Sequence, residues 1–240
     1  MLQTIMDLCH FAEFGLDAKV FIFGPIAGLG WLIAYIDLIR LGFKQKTYGM
    51  PFVALAFNIC WEALYAYMYW AHDGMFYGGY MMAITNTAWF FADCAIAVTH
   101  AKYGKKDFER FAPKKYFWPW TILVLVTAAV TEVTWLMAYG VRANGCTAIV
   151  QNLPMSMLFI FMLFERKSTE GQSMNIAIGK MLGTMGAWIA IAVYPSLQDP
   201  LNISVGVLCT VFDLIYCVLL YRQFKKESKN PWRPSKPLIA

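Results

Sequence analysis

Charge is scarce in this sequence. Asp, Glu, Lys and Arg make up 15% of its 240 residues, against roughly a quarter in an ordinary soluble domain. So few charges cannot cover a water-exposed surface at this size. The histidines are only His10, His72 and His100, and they show no metal-ligand spacing. The six cysteines have no C-x-x-C pair, and four fall in apolar stretches, so they read as small packing residues. There is no H-E-x-x-H, P-loop, G-x-S-x-G or dinucleotide fingerprint. Nor is there an aspartate-rich D-D-x-x-D or D-x-D-D run to hold a magnesium-bound diphosphate.

What the chain has instead is apolar and aromatic material: 59% hydrophobic residues and 17% aromatics, including nine Trp, with a mean hydropathy of +0.49. This composition excludes disorder, coiled coil, collagen and a disulfide-stapled module. It leaves an all-α, polytopic membrane protein. A spanning helix needs about 20 mainly apolar residues. Seven such stretches are found, near 20–41, 50–70, 80–99, 117–139, 147–164, 178–194 and 201–221. Short connections predict one compact seven-helix bundle over 20–221. Residues 1–19 mix apolar and acidic positions, without a basic n-region or a cleavage site, and suggest an interfacial amphipathic helix. Residues 222–240 form a basic tail.

The basic residues are one-sided. Seventeen of the 20 Lys and Arg fall in segments 40–49, 99–116 and 165–177 and in the tail. Only Lys19 and Arg142 fall on the other side, and Lys180 is placed near a helix end. The positive-inside rule puts the C-terminus in the cytoplasm and the N-terminus outside or lumenal. The net charge of +5 is therefore a topology signal, and no nucleic-acid partner is expected. The sequon at Asn202 lies too close to the membrane to be used. Gly179/Gly183 and Gly24/Gly28 have G-x-x-x-G spacing and read as helix-packing surfaces.

Five of the fifteen acids lie within the spans: Asp37, Glu62, Asp93, Glu132 and Asp213. An acid in lipid costs roughly 2.5–3.5 kcal/mol even on insertion scales, so such residues face the bundle interior and mark function by default. No buried Lys or Arg is expected to pair with most of them. A carboxyl taken out of water without a partner favours its neutral form and is then a Brønsted acid awaiting a substrate. Asp37 is one turn from Arg40 and reads as a structural pair. Asp93 is placed near the inner end of its span, with Asn86, Trp89 and His100 on its face, where polar packing and cavity lining are both open. Glu132 shares a face with Trp135 and reads as a cavity wall. Glu62 and Asp213 are the deepest. Glu62 lies in a stripe with Asn58, Tyr65 and Tyr69, and Asp213 in one with Gly206, Cys209, Tyr216 and Cys217. Trp61, Trp89, Trp135 and Trp188 are placed deep as well, where aromatic faces stabilise cations. Other aromatics, such as Trp70, Trp118, Trp120 and Trp232, suit interfacial belts.

The run Lys46-Thr47-Tyr48-Gly49-Met50, followed by Asn58-Ile59-Cys60-Trp61-Glu62, resembles the small integral-membrane terpene cyclases of meroterpenoid and indole-diterpene biosynthesis, the pyripyropene and paxilline types. An acid in the last span is a second hallmark, and Asp213 in Asp-Leu-Ile-Tyr stands there. The resemblance implies seven helices and two essential acids, which here are Glu62 and Asp213. It also implies that a terminal epoxide or alkene of a prenyl chain is protonated and that the carbocation cyclises, with no metal or redox cofactor. The substrate would be lipid-like, of the epoxy-farnesyl or geranylgeranyl type, taken from among membrane lipids. Asn58, Trp61, Tyr65, Trp89, Glu132, Trp135 and Tyr216 are the expected substrate-binding and supporting residues. The membrane would be the endoplasmic reticulum in a fungus and the cytoplasmic membrane in a bacterium. Two alternatives remain: a small-solute or proton-coupled transporter, and a non-enzymatic receptor. The residues that would hold retinal in a microbial rhodopsin, or mark a seven-helix sugar transporter, are absent.

Overall fold

The computed structural model describes residues 20–72, 79–140, 142–193 and 199–234; the interfacial helix expected over 1–19 lies outside them. The described residues are helical. α1 is Val20–Gln45, α2 Phe52–Ala71, α3 Gly79–Phe108, α4 Phe117–Tyr139, α5 Arg142–Val150, α6 Asn152–Arg166, α7 Met174–Ala192 and α8 Pro200–Lys226, with one 3₁₀ turn at Lys114–Tyr116. Counting α5 and α6 as one broken span, seven helical spans are long and apolar enough to cross a membrane. The seven sequence stretches are all present.

Three boundaries moved. The fifth span breaks after Val150 because Pro154 has no N–H and its ring crowds the carbonyl four residues back. α3 runs on to Phe108, well past residue 99, so Asp93 stands at mid-helix and not near the inner end. α7 starts at Met174, because the Ser173 side chain caps it by accepting from the Ile176 N–H at 3.1 Å. Lys180 is thereby carried about two turns into the helix, away from its end.

The bundle is inside-out by soluble standards. α4 exposes Ile122, Leu123, Val126, Val130, Val133 and Met137, while its Glu132 is buried. α8 likewise exposes Val207, Leu208, Val211, Leu214, Ile215 and Val218 and buries Asp213. These apolar stripes recur at helical spacing, and lipid, not water, suits them.

α1 packs most extensively on α7. The seam is made of small residues. A Cβ on Gly30 would sit 2.5 Å from the Gly183 nitrogen, and one on Gly179 would sit 2.7 Å from the Gly30 carbonyl oxygen. Without a hydrophobic driving force between helices in lipid, this close backbone approach is what holds them. The packing expected of Gly179/Gly183 is therefore present. That expected of Gly24/Gly28 is not found among the described residues: Gly24 and Gly28 have nothing there within 4 Å of a Cβ, and the packing face of α1 is Ala27, Gly30 and Ala34.

The connections on the basic side are locked together. The Arg166 guanidinium donates to the Tyr48 carbonyl and to Asp107, each at 2.8 Å. Gln172 donates to the Gly49 carbonyl, and the Gly171 N–H donates to Gln45 at 2.6 Å. A Cβ on Gly49 would meet the Gly171 carbonyl at 2.6 Å. The glycine of the Tyr-Gly-Met entry is thus required by loop contact. Asp37 binds Arg40, Ser173 and Asn175, as befits a structural acid. α8 continues through Arg222 to Lys226, and the chain after it returns to the α6–α7 connection, where the Met174 N–H donates to the Pro231 carbonyl at 2.9 Å.

Candidate active site

Apart from Asp37, the buried acids fall into three groups. The first is centred on Glu62, 2% exposed on α2. The Tyr35 hydroxyl of α1 donates to Glu62 Oε1 at 2.8 Å, and Asn58 Nδ2 donates to the Tyr35 oxygen at 3.1 Å. The chain Asn58→Tyr35→Glu62 fixes one carboxyl oxygen. Asp93 of α3, fully buried, is a neighbour of Glu62. Glu62 Oε2 and both Asp93 oxygens have no donor. A proton held between the two carboxyls would supply one, whereas two bare carboxylates would repel in a dry site. Aromatic rings surround Tyr35: Trp31 at 5.8 Å and Trp89 at 6.3 Å between ring centroids.

The second group is centred on Asp213 of α8, and here the expectation of an unpaired acid is corrected. Lys180 Nζ of α7 is 2.7 Å from Asp213 Oδ1, and both side chains are 1% exposed. Lys180 also donates to Ser156 Oγ of α6 at 2.7 Å. The Ser156 hydroxyl in turn donates to the Asn152 carbonyl at 2.9 Å, which leaves its lone pair turned to the ammonium. Asp213 Oδ2 has no donor. One turn along, the Tyr216 hydroxyl donates to Gln172 Oε1 at 2.6 Å and its ring packs 5.4 Å from that of Phe159. Tyr216 thus ties the Asp213 helix to the locked connections.

The third group lies toward the α4–α5 end. Trp61 Nε1 donates to Thr147 Oγ1 of α5 at 2.9 Å. Tyr65 packs on Trp61 with ring centroids 5.0 Å apart, and Glu132 is a neighbour of Thr147. Glu132 is fully buried, and its two oxygens have no donor within hydrogen-bond distance. Trp135 is half-buried beside this group. Among the described residues, no hydrogen bond or ion pair joins one group to another.

The expected site residues are thus distributed. Glu62, Asn58 and Trp89 come together. Trp61, Tyr65 and Glu132 form a second set, and Asp213 lies with Tyr216. Three participants were missed. Tyr35 was hidden in an apolar run, and Lys180 was placed at a helix end. Asp93 was left open, although Asn86, Trp89, Asp93 and His100 trace one helix face that was visible. Among the described residues no three His, Cys, Asp or Glu side chains converge as metal ligands would.

A family model described as Pyr4-like transmembrane terpene cyclases matches residues 15–226. The chain belongs to this family. It is a multi-pass membrane terpene cyclase, and the transporter alternative is not favoured. Among relatives of this cyclase, terpene cyclase andB of Emericella variicolor is 23% identical, over 88% of this chain and 91% of its own. Terpene cyclase pyr4 of Aspergillus fumigatus is 24% identical, over 85% of this chain and 86% of its own. Terpene cyclase ascF of Acremonium egyptiacum is 28% identical, over 83% and 80%. No solved structure matches the chain.

Proposed function

We propose that this cyclase protonates the terminal epoxide, or alkene, of a prenyl chain carried on a polar head and directs the resulting carbocation into rings. The product is a polycyclic meroterpenoid or related terpenoid. The observation that carries the reading is the pair of neighbouring buried acids Glu62 and Asp93, with one oxygen fixed by Tyr35 and three without a donor among the described residues.

In this reading Glu62 is the donor. Proton transfer to the epoxide oxygen breaks its bond to carbon, and the neighbouring double bonds capture the cation in turn. Asp93 holds the pair's shared proton and limits the charge left behind. Trp31, Tyr35 and Trp89 offer ring faces to the cation, and exclusion of water protects it from capture. Trp61, Tyr65, Glu132 and Trp135 would contact substrate at the other depth. Epoxy-farnesyl and epoxy-geranylgeranyl compounds are the substrates of choice, reached laterally from membrane lipids. The basic segments face the cytoplasm and the N-terminus the lumen or outside. The membrane is that of the endoplasmic reticulum in a fungal cell and the cytoplasmic membrane in a bacterium.

The test is an isomerisation assay. Membranes containing the chain are incubated with terminally epoxidised and unepoxidised farnesyl- and geranylgeranyl-substituted phenols. A product of unchanged mass and altered retention, lost in Glu62→Gln at equal protein level, is expected. Full conversion by Glu62→Gln would sink the assignment.

A further inference from the structure

The two hallmark acids are held in opposite ways, and the difference concerns the lysine. Lys180 spends one donor on Asp213 Oδ1 and a second on Ser156 Oγ, each at 2.7 Å. Its ammonium lies 5.8 Å from the centroid of the Phe159 ring. A lysine this deep would ordinarily stretch toward an interface. Here the Ser156 lone pair and the carboxyl hold it inside. An ion-paired carboxyl already has its positive partner, so it can accept a proton and has none to give. Its second oxygen, Asp213 Oδ2, has no donor.

We infer that Lys180 is a positioning residue that presents Asp213 as a carboxylate, so that Asp213 removes the proton that ends the cascade while the Glu62–Asp93 pair supplies the one that starts it. This rests on the proposed function above and divides its chemistry between two places.

Aromatic rings stand beside both places. Trp31 packs on Tyr35, the partner of Glu62. The Trp31 ring also lies 2.6 Å from where a Cβ on Gly183 would stand, three residues beyond Lys180 on the same helix. Phe159 and Tyr216 pack on the Asp213 side. A cation formed beside Glu62 can thus travel along ring faces toward a fixed negative charge.

The protons balance. The carboxyl pair's O–H bond breaks as the epoxide oxygen takes the proton, and the C–O bond opens to the cation. Double-bond electron pairs form the new C–C bonds. A C–H bond next to the last cation breaks, its electron pair becomes the product double bond, and its proton goes to Asp213 Oδ2. The substrate is isomerised, and the two acids exchange protons with solvent once product has left.

The experiment uses full-length chain in membranes and the phenol from the panel above that the wild type converts. The variants are Lys180→Met, Lys180→Arg, Asp213→Asn, Glu62→Gln and the double variant Lys180→Met/Asp213→Asn. The double variant removes both charges together and so leaves no lone buried ion. Substrate consumption and product ratio are read separately. Lys180→Met, Asp213→Asn and the double variant are expected to consume substrate, with native product falling about a hundredfold. In its place should come incompletely cyclised isomers, or products heavier by one water, the nucleophile that traps an unquenched cation. Lys180→Arg, which keeps the charge, should return the ratio toward native.

Two results would overturn the assignment. One is a native product ratio in Lys180→Met or the double variant, which is what a purely structural lysine gives. The other is untouched substrate in Asp213→Asn and the double variant, which would put Asp213 on the initiating side. Failure of the underlying reading shows elsewhere, as substrate consumed by Glu62→Gln.

Discussion

Glu62 and Asp213 each stand near the middle of their helices in one bundle, yet their surroundings differ. Glu62 has a second carboxyl for a neighbour, a tyrosine hydroxyl on one oxygen and no cation among its partners. Asp213 has an ammonium at 2.7 Å, itself braced by a serine. Both arrangements make a buried acid tolerable, by different means. In the first, a proton can neutralise the negative charge. In the second, a lysine balances it. A carboxyl that holds its proton suits initiation of a cation, and one that keeps its charge suits quenching it.

The comparison can be broken or sharpened by substitution. The largest effect is expected from Glu62→Gln, which keeps size and hydrogen bonding but removes the acid. Conversion should drop by about three orders of magnitude, within the range general acids supply, with substrate recovered unchanged by chromatography. Asp93→Asn should cost less, about a hundredfold. If conversion is instead untouched, Asp93 is a packing residue and the carboxyl pair is not the acid.

Gly30→Ala addresses the other group. The added methyl meets the backbone of Gly179 and Gly183 at 2.7 Å and 2.5 Å, so α7 must move off α1 at a cost of about 1–3 kcal/mol. Thermal unfolding in detergent should shift downward, and if Asp213 ends the cascade the product ratio should change more than substrate consumption. Tyr35→Phe removes one hydrogen bond to Glu62, worth about 1 kcal/mol. Turnover should fall by about tenfold or less, with protein level unchanged. The smallest effect is expected for Arg40→Ala. Its bond to Asp37 is half-exposed, and Asp37 keeps Ser173 and Asn175. Unfolding should move by less than about 1 kcal/mol.

Some of the site was legible in the sequence for plain physical reasons. Glu62 and Asn58 are one turn apart on one helix, so their proximity follows from the 3.6 period alone. Asp37 and Arg40 follow the same rule. Lys180 was misjudged because hydropathy places a span by its apolar run, whereas the helix is started by the Ser173 cap five residues before that run. The serine was visible, and a cap-based reading would have put the lysine inside the bundle. The same run-based boundary placed Asp93 at an end, although α3 extends through Lys102 and Lys105 into a polar zone. Tyr35 had no signal beyond being a polar tip in an apolar stretch.

The sequence by itself determined that the chain has seven spans long and apolar enough to cross a membrane, and that its basic residues cluster in alternate connections. It also determined that acids lie inside the bundle and that span 2 carries the motif of a cyclase family. The spans and their acids are properties of local composition and period, and the motif is a resemblance carried by a run of consecutive residues. Only the tertiary structure decided that Asp93 meets Glu62, that Lys180 meets Asp213, and that Trp61, Tyr65 and Glu132 gather elsewhere around Thr147. Such pairings depend on how each helix is rotated and which neighbour it touches. That is set by close-packed seams such as Gly30 against Gly179 and Gly183, between residues some 150 positions apart, which no local pattern records.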